Sequence, residues 1–289
     1  MEVILQTSVN ALVASGFFAL MAVGLVLIFG VMRIINFAHG ELFMVGAYTV
    51  WVLYSQNGWP FFAAVLAAFI LVGFIGLLME RTLFRPLRDN PLGGLIASIG
   101  VLFILQVIAV KVGGLGLMKH VPPAFRGTVE LIEGVTVATQ RLVAVILAAI
   151  LLLLIWFFLT RTKLGWALRA VAQDREAAAL QGININKISM LAMGVGAGVA
   201  GIAGALIAPI VRVEPYMGHG VIITAFIVTI VGGIGSLSGA VLAAVLYAFF
   251  HTFVTTYYGG TAATLLGLVI MLIVLIIKPT GLMGTRATE

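Results

Sequence analysis

The sequence predicts an all-α bundle of membrane-spanning helices, and three observations carry that prediction. Hydrophobic residues make up 62% of the 289-residue chain and charged residues only 9%, where a water-facing domain carries about a quarter charged. The apolar residues fall in runs close to the roughly 20 that a helix needs to cross a bilayer. Lysine and arginine collect in short connections between those runs, the distribution that membrane topology imposes. The net charge of +6 therefore reads as membrane orientation, and no nucleic-acid partner is expected. The absence of cysteine removes disulfides, thiolate chemistry and cysteine-rich metal sites together. No cleavable leader is expected, because Glu2 and no basic residue precedes the first apolar run.

Nine hydrophobic segments are expected. The first covers 7–30 and is followed by the short 42–56, then by 60–80, 93–112 and 141–159. The C-terminal part adds 188–211, 220–234, 238–257 and 262–277. At about 1.5 Å per residue, 42–56 and 220–234 are short for a straight crossing, so eight and nine crossings both stand. Arg81, Arg85 and Arg88 lie in the connection 81–91, with Arg161, Lys163, Arg169, Arg175 and Lys187 in the connection 160–187. With Lys278 and Arg286 in the tail, all three stretches should face the cytoplasm, placing the C-terminus inside. Loop 113–140, with Pro122, Pro123, Glu130 and Glu133, then lies outside, although it also holds Lys119 and Arg126. Nine crossings put the N-terminus outside, and eight put it inside. Residues 1–289 are read as one transmembrane domain. Within membrane depth the ionisable candidates are Arg33, His39, Glu41 and His251. Glu80, Lys111 and Arg141 sit at span ends, where long side chains reach the interface.

The connection 160–187 is long for a turn between helices. Asp174 can accept hydrogen bonds from the first N–H groups of a short helix, and Glu176 suits its positive end. Ala177, Ala178, Ala179 and Leu180 favour helix, and Gly182 can take the left-handed conformation that closes one. The outcome is about two helical turns with a small, alanine-rich surface. It is either a solvated linker or a docking element, anchored by Arg169 and Arg175.

At these residues the sequence resembles the cytoplasmic coupling motif of ABC importer permeases, an Ala-Ala pair followed by Gly, matched by Ala177, Ala178 and Gly182. The fuller stretch from Gly165 to Asp174 and on to Asn184 resembles the branched-chain amino acid permease family. So do Ile35-Asn36-Phe37-Ala38-His39-Gly40-Glu41, Gly232-Gly233-Ile234-Gly235-Ser236-Leu237-Ser238-Gly239, and the ending Lys278-Pro279-Thr280-Gly281-Leu282. The length suits the shorter of the two membrane subunits of such importers. The resemblance implies a broken-helix permease bundle in the bacterial inner membrane, in contact with lipid. It further implies a second homologous permease, two ATPase subunits carrying ATP and Mg, and a periplasmic substrate-binding protein. Arg169, Asp174, Ala177, Ala178 and Gly182 become the ATPase-coupling residues. No G-x-x-x-x-G-K-[ST] phosphate loop occurs in the chain, so ATP hydrolysis is expected on other subunits and the chain itself is not an enzyme. The cargo expected is a branched-chain amino acid or a related small molecule, with urea or a short amide as the alternative.

Two breaks in apolar sequence are candidates for the pathway. Asn36, Phe37, His39, Gly40 and Glu41 place polar groups where irregular backbone is tolerated only beside a cavity or inside protein; a cytoplasmic turn is the competing reading. Gly232, Gly233, Gly235 and Ser236 form the second, either gate or turn, with Gly235 and Gly239 as a helix-packing pair. Each break follows an apolar run, one in each half, which hints at repeated halves. Gly196-Ala197-Gly198-Val199-Ala200-Gly201 satisfies the dinucleotide fingerprint but sits inside an apolar run without a strand, so it reads as helix packing. His251 reads as a packed or interfacial residue, and no metal or Ser-His-Asp constellation is expected. An ion-coupled transporter is the leading rival, weakened by the scarcity of intramembrane carboxylates, of which Glu41 is the candidate. A passive channel or membrane enzyme would need flux or chemistry without partners.

Overall fold

The computed structural model describes residues 2–114, 117–132 and 134–284. Glu133 and Arg286, both used above for orientation, lie outside the described residues. Every expected hydrophobic segment is helical. In the first half, α1 spans Glu2–Met32 and α2 His39–Val50, the latter extended by a π-helical turn at Trp51–Gln56. Next come α3 at Phe61–Met79, with a π-turn at Glu80–Phe84, α4 at Pro91–Gly113 and α5 at Thr139–Arg161. The cytoplasmic connection forms α6, Lys163–Gln173, and α7, Arg175–Leu180. The second half is α8 at Ile185–Ile207, α9 at Gly218–Gly232, α10 at Leu237–Tyr258 and α11 at Gly260–Ile277. Among the described residues seven helices are long and apolar enough to cross a membrane, while α2 and α9 fall short. Local chemistry sets several starts: Asn90 Oδ1 accepts from Gly93 N (2.9 Å) just before Pro91, and Ser236 Oγ accepts from Gly239 N (3.1 Å).

The external loop departs from the all-α expectation. β1, Thr128–Ile132, and β2, Val135–Ala138, form an antiparallel hairpin with Val129 opposite Val137. The Gln6 side chain donates to Thr136 O (3.0 Å) and accepts from Thr136 N (3.1 Å), tying this hairpin to α1. Lys119 and Val213 pair backbone to backbone nearby. At the opposite end, Arg88 donates to Asn186 (2.7 Å), Arg33 to Gln173 O (3.5 Å), and Leu282 N to Val231 O (2.8 Å). The arginine-rich connections and the C-terminal segment therefore share one end, the cytoplasmic one by the charge rule, and the N-terminal residues lie at the other. Among the described residues the chain passes nine times between the ends, seven by continuous helices and two by a break plus a short helix.

α1 and α8 cross near the midpoint of α8. A Cβ on Gly24 would lie 2.7 Å from Gly196 O, and a Cβ on Gly196 2.7 Å from Gly24 O, so the backbones touch as small residues allow. α3 packs along α8, and α10 along α1. Gly73 and Gly76 of α3 meet Gly194, Met193 and Ala197 of α8, which makes the run Gly196–Gly201 a helix-packing face. α1–α4 and α8–α11 repeat one order: a long helix, a break, a short helix and two long helices, run in opposite directions. This is an inverted repeat. It also corrects the pairing of breaks drawn from sequence. The counterpart of 33–38 is 208–217, before α9, and not the glycine-rich turn after it.

Candidate functional site

The site is built where the two short helices begin. α1 ends at Met32, and Arg33, at φ +53°, turns the chain. Residues 33–38 then lead back along the bundle. Asn36 Oδ1 accepts from Ala38 N (3.1 Å), Asn36 O accepts from His39 N (3.3 Å), and Ser98 Oγ on α4 accepts from Phe37 N (3.1 Å). His39 Nε2 lies 3.2 Å from Met21 O, well inside α1. A carbonyl only accepts, so that contact assigns the proton to Nε2. α2 therefore starts inside the bundle rather than at its cytoplasmic end. In the second half, turns through 208–217 return the chain inward from the end of α8, and α9 starts at Gly218 against Gly40. A Cβ on Gly40 would lie 3.0 Å from Gly218 C, so only glycine lets the two first turns meet.

Glu41, in the first turn of α2, is 1% exposed. Its carboxylate lies against Gly218, where a Cβ would come within 2.6 Å of Cδ. Oε1 accepts from Gln106 Nε2 on α4 (2.9 Å), and the same nitrogen is 3.3 Å from His219 Nε2. Phe37 and Phe226 pair edge to face, centroids 5.4 Å apart, between the break and α9. Gln106 and His219 escaped the sequence reading, although signals for both were present. Gln106 is an isolated amide in an apolar run, and a His-Gly pair opens both short helices, at 39–40 and 219–220. Two helix N-termini with a carboxylate between them can hold a small polar group. Among the described residues no group of three or more His, Cys, Asp or Glu is placed to hold a metal.

Gly232, Gly233, Gly235 and Ser236 lie at the cytoplasmic end instead, in the α9–α10 turn. Met283 N donates to Gly232 O (3.1 Å), so the C-terminal residues cover the turn. Gly233 and Gly235 take φ of +106° and +83°, conformations that favour glycine. The expected Gly235–Gly239 packing pair is replaced by Gly232 against Gly239, because Gly235 is part of the left-handed turn and not of a helix face. His251 sits on α10 beside Phe18 and Tyr247, ring centroids 5.8 and 5.6 Å away.

The cytoplasmic connection holds two helices where one was expected. α6 buries Gly165, Leu168 and Val171 and exposes Trp166 and Arg169. A Cβ on Gly165 would fall 2.5 Å from Leu159 Cα, so glycine sets the tight corner with α5. Asp174 Oδ1 accepts from Ala177 N (2.9 Å) and starts α7, and Gly182, at φ +82°, ends it. Ala178 packs inward, while Ala177 is exposed and Leu180 stands 86% exposed. A hollow of about 320 Å³ on this surface is lined by Ala170, Gln173, Asp174, Ala177, Gln181 and Ile183, among others.

Beside it, Glu80 is fully buried and accepts from Arg85 (2.7 and 3.3 Å) and Arg88 (3.3 Å). This corrects the expectation that Glu80 reaches the membrane interface: two guanidiniums hold it inside. Arg33, expected at membrane depth, is likewise at the cytoplasmic end of α1, bonded to α6. Burial, and next the charge of Arg175, push the Arg88 pKa below the usual arginine value, so the 81–91 connection feels the first residue of α7.

Comparison with known proteins follows the same lines. The family described as "Branched-chain amino acid transport system / permease component" matches residues 7–278. The chain is 31% identical to the high-affinity branched-chain amino acid transport system permease protein BraD of Pseudomonas aeruginosa, covering 99% of this chain and 97% of that one. It is 28% identical to the corresponding permease protein LivH of Escherichia coli over the same shares. A probable branched-chain amino acid transport permease protein LivH of Methanocaldococcus jannaschii is 25% identical, over 95% of this chain and 91% of that one. No solved structure matches the chain.

Proposed function

The chain belongs to the branched-chain amino acid transport system permease family, and from that premise we propose that it forms one wall of the pathway of an ATP-driven importer of branched-chain amino acids. Its apolar helices and bacterial relatives make it a multi-pass protein of the bacterial inner membrane. A second homologous permease faces it across the pathway, and a periplasmic binding protein delivers the cargo at the hairpin end. Of two ATPase subunits, carrying ATP and Mg, one docks on α6 and α7 through Arg169, Asp174, Ala177, Ala178 and Gly182, and the other on the second permease. Of the residues expected to line the pathway at its middle, Asn36, His39, Gly40 and Glu41 are buried and back its wall, with Phe37 half-buried beside them, and the turn Gly232, Gly233, Gly235 and Ser236 borders its cytoplasmic mouth.

The observation that carries this reading is α7. A six-residue helix, capped by Asp174 and closed by Gly182, holds Leu180 out at the arginine-rich end of the bundle. A helix that short is not stable alone, and a large exposed apolar side chain beside a hollow suits a partner. The native chain has no cysteine, so Leu180→Cys introduces a single thiol. In native membranes a thiol crosslinker should join it to a nucleotide-hydrolysing subunit, and the purified complex should accumulate leucine in vesicles when ATP is supplied. Absence of any such crosslink, or uptake by the chain alone on an ion gradient, refutes the importer reading.

A further inference from the structure

The buried polar atoms without partners are concentrated at the start of α2. Among the described residues eight buried side-chain nitrogen or oxygen atoms have no hydrogen-bond partner, and three of them fall within residues 36–41: Asn36 Nδ2, His39 Nδ1 and Glu41 Oε2. Unpartnered buried polar groups are rare because each loses its water without replacement. Two of these three are acceptors: the second carboxylate oxygen of Glu41, and Nδ1 of a histidine whose Nε2 holds its proton against Met21 O. The third is an amide donor. Glu41 also has no cationic side chain in contact, since the ion pairs of the described residues are those of Glu80. A carboxylate buried at membrane depth without a counter-charge is costly and marks a functional position.

Glu41 is also close to a surface. Gln106 connects it to His219, which is exposed along with Gly220. A Cβ on Gly220 would meet nothing within 4 Å. Polar side chains at membrane depth face water-filled cavities or other protein rather than lipid. The face bearing His219 and Gly220 therefore looks onto the pathway, and Glu41 lies one side chain behind it. The Glu41 carboxylate is aimed at Gly218, the first residue of α9, so a ligand that displaced it there would meet the positive end of that helix.

From this arrangement we propose that Glu41, with Gln106 and His219 at its approach, is the subsite that receives the primary ammonium group of a transported α-amino acid. An ammonium brings three donors and the positive charge that Glu41 lacks. The proposal rests on the importer reading for its cargo and adds the group that the cargo must carry.

The test is equilibrium binding of L-leucine to the detergent-purified importer complex with the binding protein omitted. Leucinol, which keeps the ammonium, and 2-hydroxy-4-methylpentanoate, which lacks it, serve as competitors. Leucine and leucinol should compete, the hydroxy acid at least tenfold more weakly, and Glu41→Gln should lower leucine affinity at least tenfold with an unchanged melting temperature. Equal affinity in Glu41→Gln, or a hydroxy acid competing as well as leucine, overturns the proposal. Should Glu41→Gln fail to fold, Gly220→Leu reads the same site, since the open space there tolerates the side chain. A tenfold loss of leucine affinity is expected, and a folded Gly220→Leu with wild-type affinity overturns the proposal. The two readings fail separately. Leucine binding without ATP-driven uptake in wild type removes the importer, and ATP-driven leucine uptake that survives Glu41→Gln unchanged removes the subsite.

Discussion

Asp174→Ala isolates what one hydrogen bond contributes to α7, the helix proposed to dock an ATPase. The Asp174 side chain is the acceptor that starts α7, at 2.9 Å from Ala177 N, and α7 is only six residues long. Removing an N-cap of this kind costs about 1 kcal/mol. At room temperature that is about a fivefold shift away from the helical form, with RT of about 0.6 kcal/mol, and a helix of this length has little else to hold it. Because α7 is mostly exposed and packs inward chiefly through Ala178, the loss should lower the melting temperature of the whole chain little. In proteoliposomes containing the complete importer, leucine moved per ATP hydrolysed should fall, by at most about fivefold because the helical fraction cannot drop further than its equilibrium constant. Asp174→Asn, which keeps an accepting oxygen at the same place, should retain most of the coupling. Unchanged coupling in the alanine variant refutes the role of the cap, and an equal loss in the asparagine variant assigns the effect to charge instead.

Three further outcomes are expected. Glu80→Gln leaves Arg85 and Arg88 without their carboxylate; since those side chains are 31% and 19% exposed, the cost should be roughly 1–3 kcal/mol, below that of a fully buried pair. A melting temperature equal to wild type would show that the cluster carries no stability. Gly182→Ala meets no neighbour, so its cost of about 1 kcal/mol comes from the φ of +82° alone. Gly182→Asn, which tolerates that region, should couple better than alanine in the same vesicle assay, and the reverse order would contradict the strain account. Gly204→Leu has no room, because a Cβ there already lies 2.8 Å from Phe43 C. It should lower the melting temperature of the purified chain by at least the effect of 1–3 kcal/mol expected of overpacking, and a wild-type melt would show that α2 and α8 can separate freely.

Much of the fold was legible because burial in a bilayer writes itself as apolar length. Every long span could be read that way, and the capping residues Asp174 and Gly182 stand where their chemistry suggested. What escaped depends on tertiary contact. α6 is amphipathic and lies outside the apolar runs, so hydropathy passed over it. The hairpin near Val129 and Val137 is short and stabilised by Gln6 from a distant helix. Glu80 looked like an interfacial residue because its partners Arg85 and Arg88 mark a cytoplasmic connection. Gln106 and His219 become site residues only once two helix starts are brought together across the bundle, which no local window shows. The repeat was hidden for a related reason: a glycine-rich turn at 232–239 drew attention from the less conspicuous break at 208–217.

The exchange of partners between halves has a consequence for how the protein is made. α1 is largely buried, yet α10, which packs along it, is synthesised about 200 residues later. At a ribosomal pace of roughly 5–20 residues per second, α1 waits in the bilayer for tens of seconds before that neighbour exists. Throughout that interval its face must tolerate lipid, which its almost unbroken apolar sequence allows. The cleft that admits α8 at Gly24 stays open until the second half has left the translocon. Assembly is therefore a late interlocking of two inserted pieces, and a nascent chain halted after α5 would lack the helix, α8, against which α1, α2 and α3 all pack.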